Sequence, residues 1–358
     1  MARATVLTSP FLAVESPEET AGAAGAVIAR AEATLLSRFA DQIVSLIASS
    51  PGAADPDVRP ESPPVRDPIV LLVTRAPIPS DELSAARAEI RGPSPVMGNI
   101  ELFQSLRRDL TRLPPHPRLI DLASDYRTIA GEAVRLPAPP LAEEIPVVQG
   151  ELLLREALGD IIAGFPEGDG AAASLRSTSR AVLAAVDALL ILKQRYSARL
   201  DEKRRQIVQI GGDEGILDLF DAAVSTKIEG RTPSAWSAGR FWGASLHFFL
   251  DVLLAFLVPG GPRRSERLDV LLEGYGTRSV SFCETLRRFA RALLAGPRKG
   301  DRERLLLALA IARDWDAPRP SIGRLARRAG IPDPRGLSWN DLRERALAAW
   351  RGDVAPAR

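Results

Sequence analysis

The sequence has 358 residues, 46% hydrophobic and 26% charged, a composition typical of a globular protein long enough for two domains. Its formal net charge of +2 is too small to indicate nucleic-acid binding by bulk electrostatics. The single cysteine, Cys283, excludes an intrachain disulfide and is typical of a reducing compartment.

The sequence shows no sign of export or membrane insertion. Because the first sixteen residues contain no apolar run of signal-peptide length, we expect a cytoplasmic protein. The most apolar stretch, 241–258, carries His247 and Asp251 near its middle, which predicts a buried helix with a His–Asp pair and no membrane partner. Arg240 precedes this pair on the same helix face, but its spacing to His247 carries little weight in an arginine-rich chain.

Arginine supplies 43 of the 47 cationic residues, and the four lysines are Lys193, Lys203, Lys227 and Lys299. Since alanine, glycine and proline are also abundant, this bias is typical of genomic composition. An arginine is therefore weak evidence for a phosphate site, whereas a lysine that is retained despite this bias is slightly stronger evidence for one.

The first part of the chain predicts a small α+β unit after a flexible N-terminus at 1–16. Ser16-Pro17-Glu18-Glu19 is a strong helix start, and 50–68 is a proline-rich loop. Hydrophobic periodicity predicts helices at about 17–49, 79–91 and 99–111, and strands at 69–73, 118–122 and 133–136.

The second part predicts helices only, after a proline-rich boundary at 137–146. Together these patterns predict an α+β domain at 17–145 and an all-α helical domain at 146–358. The expected helices lie at about 151–164, 174–209, 214–228, 233–257, 280–295, 301–314, 321–329 and 338–350. The segment 321–331 is similar to the start of a helix-turn-helix, but Pro332 and Pro334 favour a plain amphipathic helix.

The predicted helix 174–209 carries polar residues inside its apolar stripe. Arg180, Asp187 and Gln194 recur at intervals of seven, so they form a polar line along one face. A structural salt bridge or a hydrogen bond between helices is the expected role of Asp187. Lys193 and Tyr196 follow, three residues apart and so on one face of the same helix.

Four segments resemble nucleotidyltransferases of the DNA polymerase β superfamily, in particular the kanamycin and minimal nucleotidyltransferase groups. They are 121–136, the run Gly150-Glu151-Leu152-Leu153-Leu154-Arg155, the stretch 187–196 and the stretch 218–227. The resemblance implies a small mixed-sheet domain followed by a helical bundle, with a nucleoside triphosphate as ligand and Mg²⁺ as cofactor. By the same resemblance, Lys193, Tyr196 and Lys227 would bind the nucleotide. The alternative is that Lys193 and Lys227 are ordinary solvent-exposed lysines, and that Tyr196 is an amphipathic residue at the edge of the helix.

The catalytic motif of that family is largely missing. The family has a Gly-Ser turn after its first strand, an Asp-x-Asp pair on its second strand and a third carboxylate on a neighbouring strand. These carboxylates hold the metal ions that bridge the triphosphate and the attacking hydroxyl. Here only Asp67 lies near the pair, Ile69 stands at its partner position, and Asp121 matches the third carboxylate. The resemblance leaves Asp67 and Asp121 as the catalytic and metal-binding residues, with Mg²⁺ if the protein is active and no cofactor otherwise.

Three hypotheses follow for the function. The first is a diverged, catalytically inactive nucleotidyltransferase-like protein with a binding or regulatory role. The second is an active Mg²⁺-dependent enzyme that transfers a nucleoside monophosphate to a hydroxyl. The third is an interaction protein that binds a protein partner through its helical domain, or nucleic acid through the arginines of 262–304.

Overall fold

The computed structural model describes residues 17–49, 68–91, 100–113, 115–124, 126–165, 171–212, 214–229, 231–233, 235–257, 311, 320–331, 334 and 336–351. Within these ranges the protein is α+β, with one four-stranded mixed sheet and a larger number of helices. The predicted flexible segment 1–16, the predicted helix 280–295 and nearly all of the predicted helix 301–314 lie outside these residues.

The sheet and its helices occupy the first part of the chain. The order is α1 (Pro17–Phe39), β1 (Ile43–Ser49), β2 (Ile69–Thr74), α2 (Ser80–Arg91), β3 (Glu101–Leu106), a 3₁₀ turn (Arg107–Arg112), α3 (Pro117–Ser124) and β4 (Tyr126–Gly131). The strands lie in the order β3-β2-β1-β4. Strand β1 is antiparallel to both of its neighbours, and β2 is parallel to β3.

Both faces of the sheet are covered. Because side chains alternate along a strand, Val70 and Leu72 of β2 pack against α1 and α2 on one face. Leu71 and Val73 pack on the other face against Leu122 of α3 and its surroundings. A central strand buried on both faces is typically a continuous apolar run. The predicted strand 69–73 has this pattern and is confirmed as β2.

The predicted helix 17–49 is wrong in its last third. The helix ends at Phe39, a turn closes where the Gln42 amide donates to the Phe39 carbonyl at 2.9 Å, and Ile43–Ser49 forms β1. A strand that is buried on both faces is a run of apolar residues. Here that run follows closely on the apolar stripe of α1, so hydrophobic periodicity predicted one continuous helix. Tertiary pairing with β2 and β4 decided the structure.

Three further predictions about the sheet unit are wrong. The predicted helix at 99–111 is β3 followed by the 3₁₀ turn, and the predicted strand at 118–122 is helix α3. The strand expected at 133–136 lies earlier, at 126–131. The predicted helix at 79–91 is confirmed as α2, which has Asp81 and Glu82 in its first turn.

The described residues after the proline-rich linker are helical, as the sequence predicts. The helices are α4 (Val147–Ala163), α5 (Ala171–Leu192), α6 (Leu200–Gln209), α7 (Glu214–Glu229), α8 (Ala238–Leu257), α9 (Pro320–Arg328) and α10 (Trp339–Arg351). Their shared core lies between α4, α5 and α8 and extends to α9 and α10. None of the helices in the described ranges has the length and apolarity to cross a membrane.

The long helix predicted at 174–209 is two helices joined by a turn. Helix α5 ends at Leu192, where Gln194 adopts a left-handed φ of 56°. The Arg195 amide donates to the Leu190 carbonyl and the Gln194 amide to the Ile191 carbonyl, which is the Schellman pattern of a helix C-terminus. This stop places residues 193–199 outside the helix, and Tyr196 with them.

Candidate functional site

A cleft of about 140 Å³ opens between the sheet unit and the helices. Strand β3 and helix α3 supply one wall, and α4 to α7 supply the rest. Its lining combines apolar and charged side chains. The lining residues are Glu101, Arg118, Leu153, Glu156, Ala157, Asp160, Arg180, Leu183, Ala184, Asp187, Leu200, Lys203 and Lys227.

Asp121 and Tyr196 meet beside this cleft, although they are 75 residues apart in the chain. The Tyr196 hydroxyl donates toward both carboxylate oxygens of Asp121, at 2.8 Å to Oδ1 and 2.9 Å to Oδ2. Both side chains are buried. Asp121 lies on helix α3, so its predicted position on a strand is wrong.

Arg118 is the central cation of the cleft. Its guanidinium lies 2.8 Å from Glu101 Oε2, 3.3 Å from Asp121 Oδ2 and 3.9 Å from Asp187 Oδ2. Burial by itself would lower the pKa of Arg118, but the carboxylates of Glu101 and Asp121 outweigh it and raise that pKa above its usual range. The guanidinium therefore stays charged and joins carboxylates from β3, α3 and α5.

Lys203 is a second buried cation, only 2% exposed. Its ammonium group pairs with Asp187 of α5. The same nitrogen lies 4.6 Å from the ring centroid of Tyr196, where the negative face of the ring favours a cation. Lys203 thus connects α6 to α5 and to the turn that carries Tyr196.

His116 borders this group of charges and is neutral at pH 7. Burial and, less strongly, the charge of Arg118 lower its pKa to about 4, although Asp121 acts in the opposite direction. Its Nδ1 accepts a hydrogen bond from the Arg118 backbone amide at 3.1 Å, and its ring packs edge-on against Phe103 at 5.5 Å. This contact fixes the start of α3, the helix that carries Arg118 and Asp121.

The structure brings together some of the predicted site residues and separates others. Asp121 and Tyr196 are in contact, and Lys227 lines the cleft. Lys193 is exposed at the end of α5 and is not among the residues that line the cleft. Asp67 lies outside the described residues.

The structure confirms the prediction for Asp187 and contradicts the one for His247 and Asp251. The expected salt bridge of Asp187 is confirmed by its pair with Lys203. The predicted burial of His247 and Asp251 is wrong, because both side chains are exposed on α8. The apolar side of that helix faces the core, so the two polar residues turn outward.

The sequence did not single out the residues that organise the cleft. Arg118 is one of 43 arginines, and Glu101 fell in a segment predicted as a helix. Lys203 carried a usable signal, since it is one of only four lysines. Its partner Asp187 was visible as a polar break in an apolar stripe.

The described acids do not fit a Mg²⁺ site. A Mg²⁺ ion needs carboxylate oxygens free to converge on one point, in near-octahedral geometry. Both oxygens of Asp121 accept the Tyr196 hydroxyl, and Oδ2 also faces Arg118. Among the residues that the structure describes, no three His, Cys, Asp or Glu side chains are arranged to hold a metal ion.

The chain matches no known protein-family profile, no curated protein and no solved structure.

Proposed function

We propose that this chain is a nucleotidyltransferase-like protein without transferase chemistry, in which the charged cleft serves a binding or regulatory role. The mixed sheet followed by helices is the arrangement that the sequence resemblance implies. The deciding observation is the contact between Tyr196 and Asp121, since it occupies the carboxylate that the resemblance assigns to the metal.

The cations of the cleft limit how strongly it can bind a nucleotide. Arg118, Arg180 and Lys203 each form an ion pair with an acid of the protein itself. A triphosphate bound there would have to displace these carboxylates, and each displaced acid would be left in a partly buried position. We therefore expect a nucleotide ligand to bind weakly and without a requirement for Mg²⁺.

A transfer assay tests the loss of chemistry. The protein is incubated with each α-labelled nucleoside triphosphate, Mg²⁺ or Mn²⁺, and a mixture of hydroxyl-bearing acceptors including the protein itself. We expect no label to be transferred above the level of heat-denatured protein. Transfer that disappears in Asp121→Ala and persists in the surface control Asp221→Ala would establish the active-enzyme alternative instead.

Two lysines form a matched pair for the binding role. Lys227 lines the cleft, whereas Lys193 is exposed away from it. In the presence of EDTA, we expect Lys227→Ala to weaken the binding of labelled ATP several-fold and Lys193→Ala to leave it unchanged. Equal effects of the two substitutions would show that the nucleotide binds elsewhere. The nucleic-acid alternative depends on 262–304, which lie outside the described residues.

A further inference from the structure

A second pocket, separate from the charged cleft, lies between helix α3, the end of the 3₁₀ turn and the proline-rich linker. Its volume is about 440 Å³, which falls within the range of about 300–1,000 Å³ typical of small-molecule sites. We propose that this pocket binds a small apolar molecule that carries an amine. The pocket is a different site from the cleft, so the proposal does not depend on the proposed function.

The outer wall of the pocket is the linker segment 137–140. Leu136, which precedes it, is 7% exposed, and its amide donates to the Tyr126 hydroxyl at 3.2 Å. Ile145, which follows, is 2% exposed. Three of the four residues of the segment are prolines, whose φ is fixed by the ring. The wall is therefore anchored at both ends and stiff in between, so a ligand would lose little affinity to ordering it.

The inner wall is one side of helix α3. Leu119 and Ala123 lie four residues apart, so they share a face of the helix, and both line the pocket. Arg118 lines the charged cleft from a different side of the same helix. Both apolar side chains are only half-buried. An apolar ligand would cover this surface, and the removal of apolar surface from water would drive its binding.

Glu144 gives the pocket its polar anchor. Among the lining residues that the structure describes, it is the one with a charged side chain. Its Oε2 accepts a hydrogen bond from the Leu141 amide at 2.8 Å, which fixes the carboxylate in place. No donor from the described part of the chain reaches Oε1. A ligand amine can therefore form a charge-assisted hydrogen bond there, whereas a ligand carboxylate would be repelled.

Three probes with the same apolar body test the ligand class: 4-phenylbutylamine, 4-phenylbutanol and 4-phenylbutyrate. Their end groups are cationic, neutral and anionic, and calorimetric titration into the full chain measures each dissociation constant. Because Glu144 is exposed at the rim, its pair with an amine is worth little more than a surface ion pair. We expect the amine to bind about two- to fivefold more tightly than the alcohol, and the carboxylate to bind more weakly than both.

Two neighbouring acids supply a matched pair of variants. Glu144→Gln removes the charge but keeps an oxygen that can accept from the Leu141 amide. It should abolish the preference for the amine and leave the affinity for the alcohol unchanged. Glu143→Gln changes an exposed acid that is not among the described lining residues, so it should alter neither affinity.

A bulky side chain in either wall tests the location. Ala123→Trp fills the pocket from α3, and Ala138→Trp fills it from the exposed linker, where a large ring is easier to accommodate. We expect each folded variant to lose the binding of all three probes. The circular dichroism spectrum shows which variants fold, and Ala138→Trp keeps the test decisive if Ala123→Trp does not.

Loss of binding in a folded tryptophan variant, together with loss of the amine preference in Glu144→Gln alone, supports the proposal. The proposal is overturned if the amine does not bind the wild-type protein saturably, or if its preference survives in Glu144→Gln. Probe binding that persists in a folded tryptophan variant also overturns it, since the probes then bind elsewhere. A wild-type dimer that Ala138→Trp converts to monomers, seen by light scattering, would show instead that a second copy fills the pocket.

Discussion

The Tyr196 hydroxyl lies 2.8 Å and 2.9 Å from the two carboxylate oxygens of Asp121, which joins the turn after α5 to helix α3 of the sheet unit. Both residues are nearly excluded from solvent. A buried carboxylate without a donor is costly, so this hydrogen bond stabilises the contact between the two parts of the chain.

Tyr196→Phe tests this contact with the smallest possible change. The ring remains, so its packing and its contact with the Lys203 ammonium remain, and only the hydroxyl is lost. We expect the free energy of unfolding to fall by about 1–3 kcal/mol, because a buried charged acceptor loses one of its donors. Chemical denaturation measures this loss. Tyr126→Phe is the control within the sheet unit, since its hydroxyl only accepts from the Leu136 amide at 3.2 Å. Equal losses in the two variants would contradict a special role for Tyr196.

Lys203→Met tests the buried pair with Asp187. Removing one member leaves the other charge buried, which typically costs about 3–5 kcal/mol. The neighbouring residue supplies the control: Arg204 pairs with Asp221, and both of these side chains are about half exposed. Arg204→Met should therefore cost about 0–1 kcal/mol. Similar losses in the two variants, measured by urea denaturation, would show that the Lys203 pair is not a buried anchor.

The helices and the strands were predictable from sequence to different degrees. Helices α4, α7, α8 and α10 combine long periodic stripes with glycine or proline ends, and their positions were predicted within a few residues. Strand β1 was not, because Ile43–Ser49 is apolar on both faces and extends the stripe of α1. Only pairing with β2 and β4, which local periodicity does not encode, distinguishes it from a helix.

The cleft was predictable from sequence only in part. Tyr196 and Asp121 were chosen through the family resemblance, and the structure brings them into contact. Arg118 could not be chosen, since an arginine-rich sequence gives no local sign of which guanidinium is buried among acids. Its role arises from three segments that meet only in the folded chain.

The chain contains two histidines, which makes the state of His116 directly measurable. Burial and then Arg118 lower the pKa of His116 to about 4, below its usual 6.5. Between these values the unfolded chain binds the additional proton, so His116 contributes stability that is complete above pH 6.5 and is lost as the pH falls to about 4. The contribution is at most about 3 kcal/mol.

An NMR titration of the His116 ring checks this value. We expect its resonance to titrate with a pKa of about 4, well below the usual 6.5 of a histidine. In Arg118→Met the pKa of His116 should rise, since a positive neighbour has been removed. A His116 pKa close to 6.5 in wild-type protein would contradict the described environment.

Glu151 is a buried acid of α4, and its Oε1 has no hydrogen-bond partner. Burial raises the pKa of this carboxyl, and Arg155 only partly offsets the effect. A raised folded pKa means that stability is lost as the pH rises through it, so the charged form is unfavourable at pH 7. We expect Glu151→Gln to stabilise the protein by about 1 kcal/mol at pH 7, with the gain shrinking toward pH 4. A loss of stability at pH 7, measured by thermal denaturation, would contradict this account.

The most direct test of the central claim is Mg²⁺-dependent binding of labelled ATP. If Asp121 is committed to Tyr196 and Arg118, ATP binding measured in Mg²⁺ and in EDTA should agree, both in the wild-type protein and in Asp121→Ala. Strong binding that requires Mg²⁺ and disappears in Asp121→Ala, while Asp221→Ala retains it, would contradict the claim and restore Asp121 as a metal ligand.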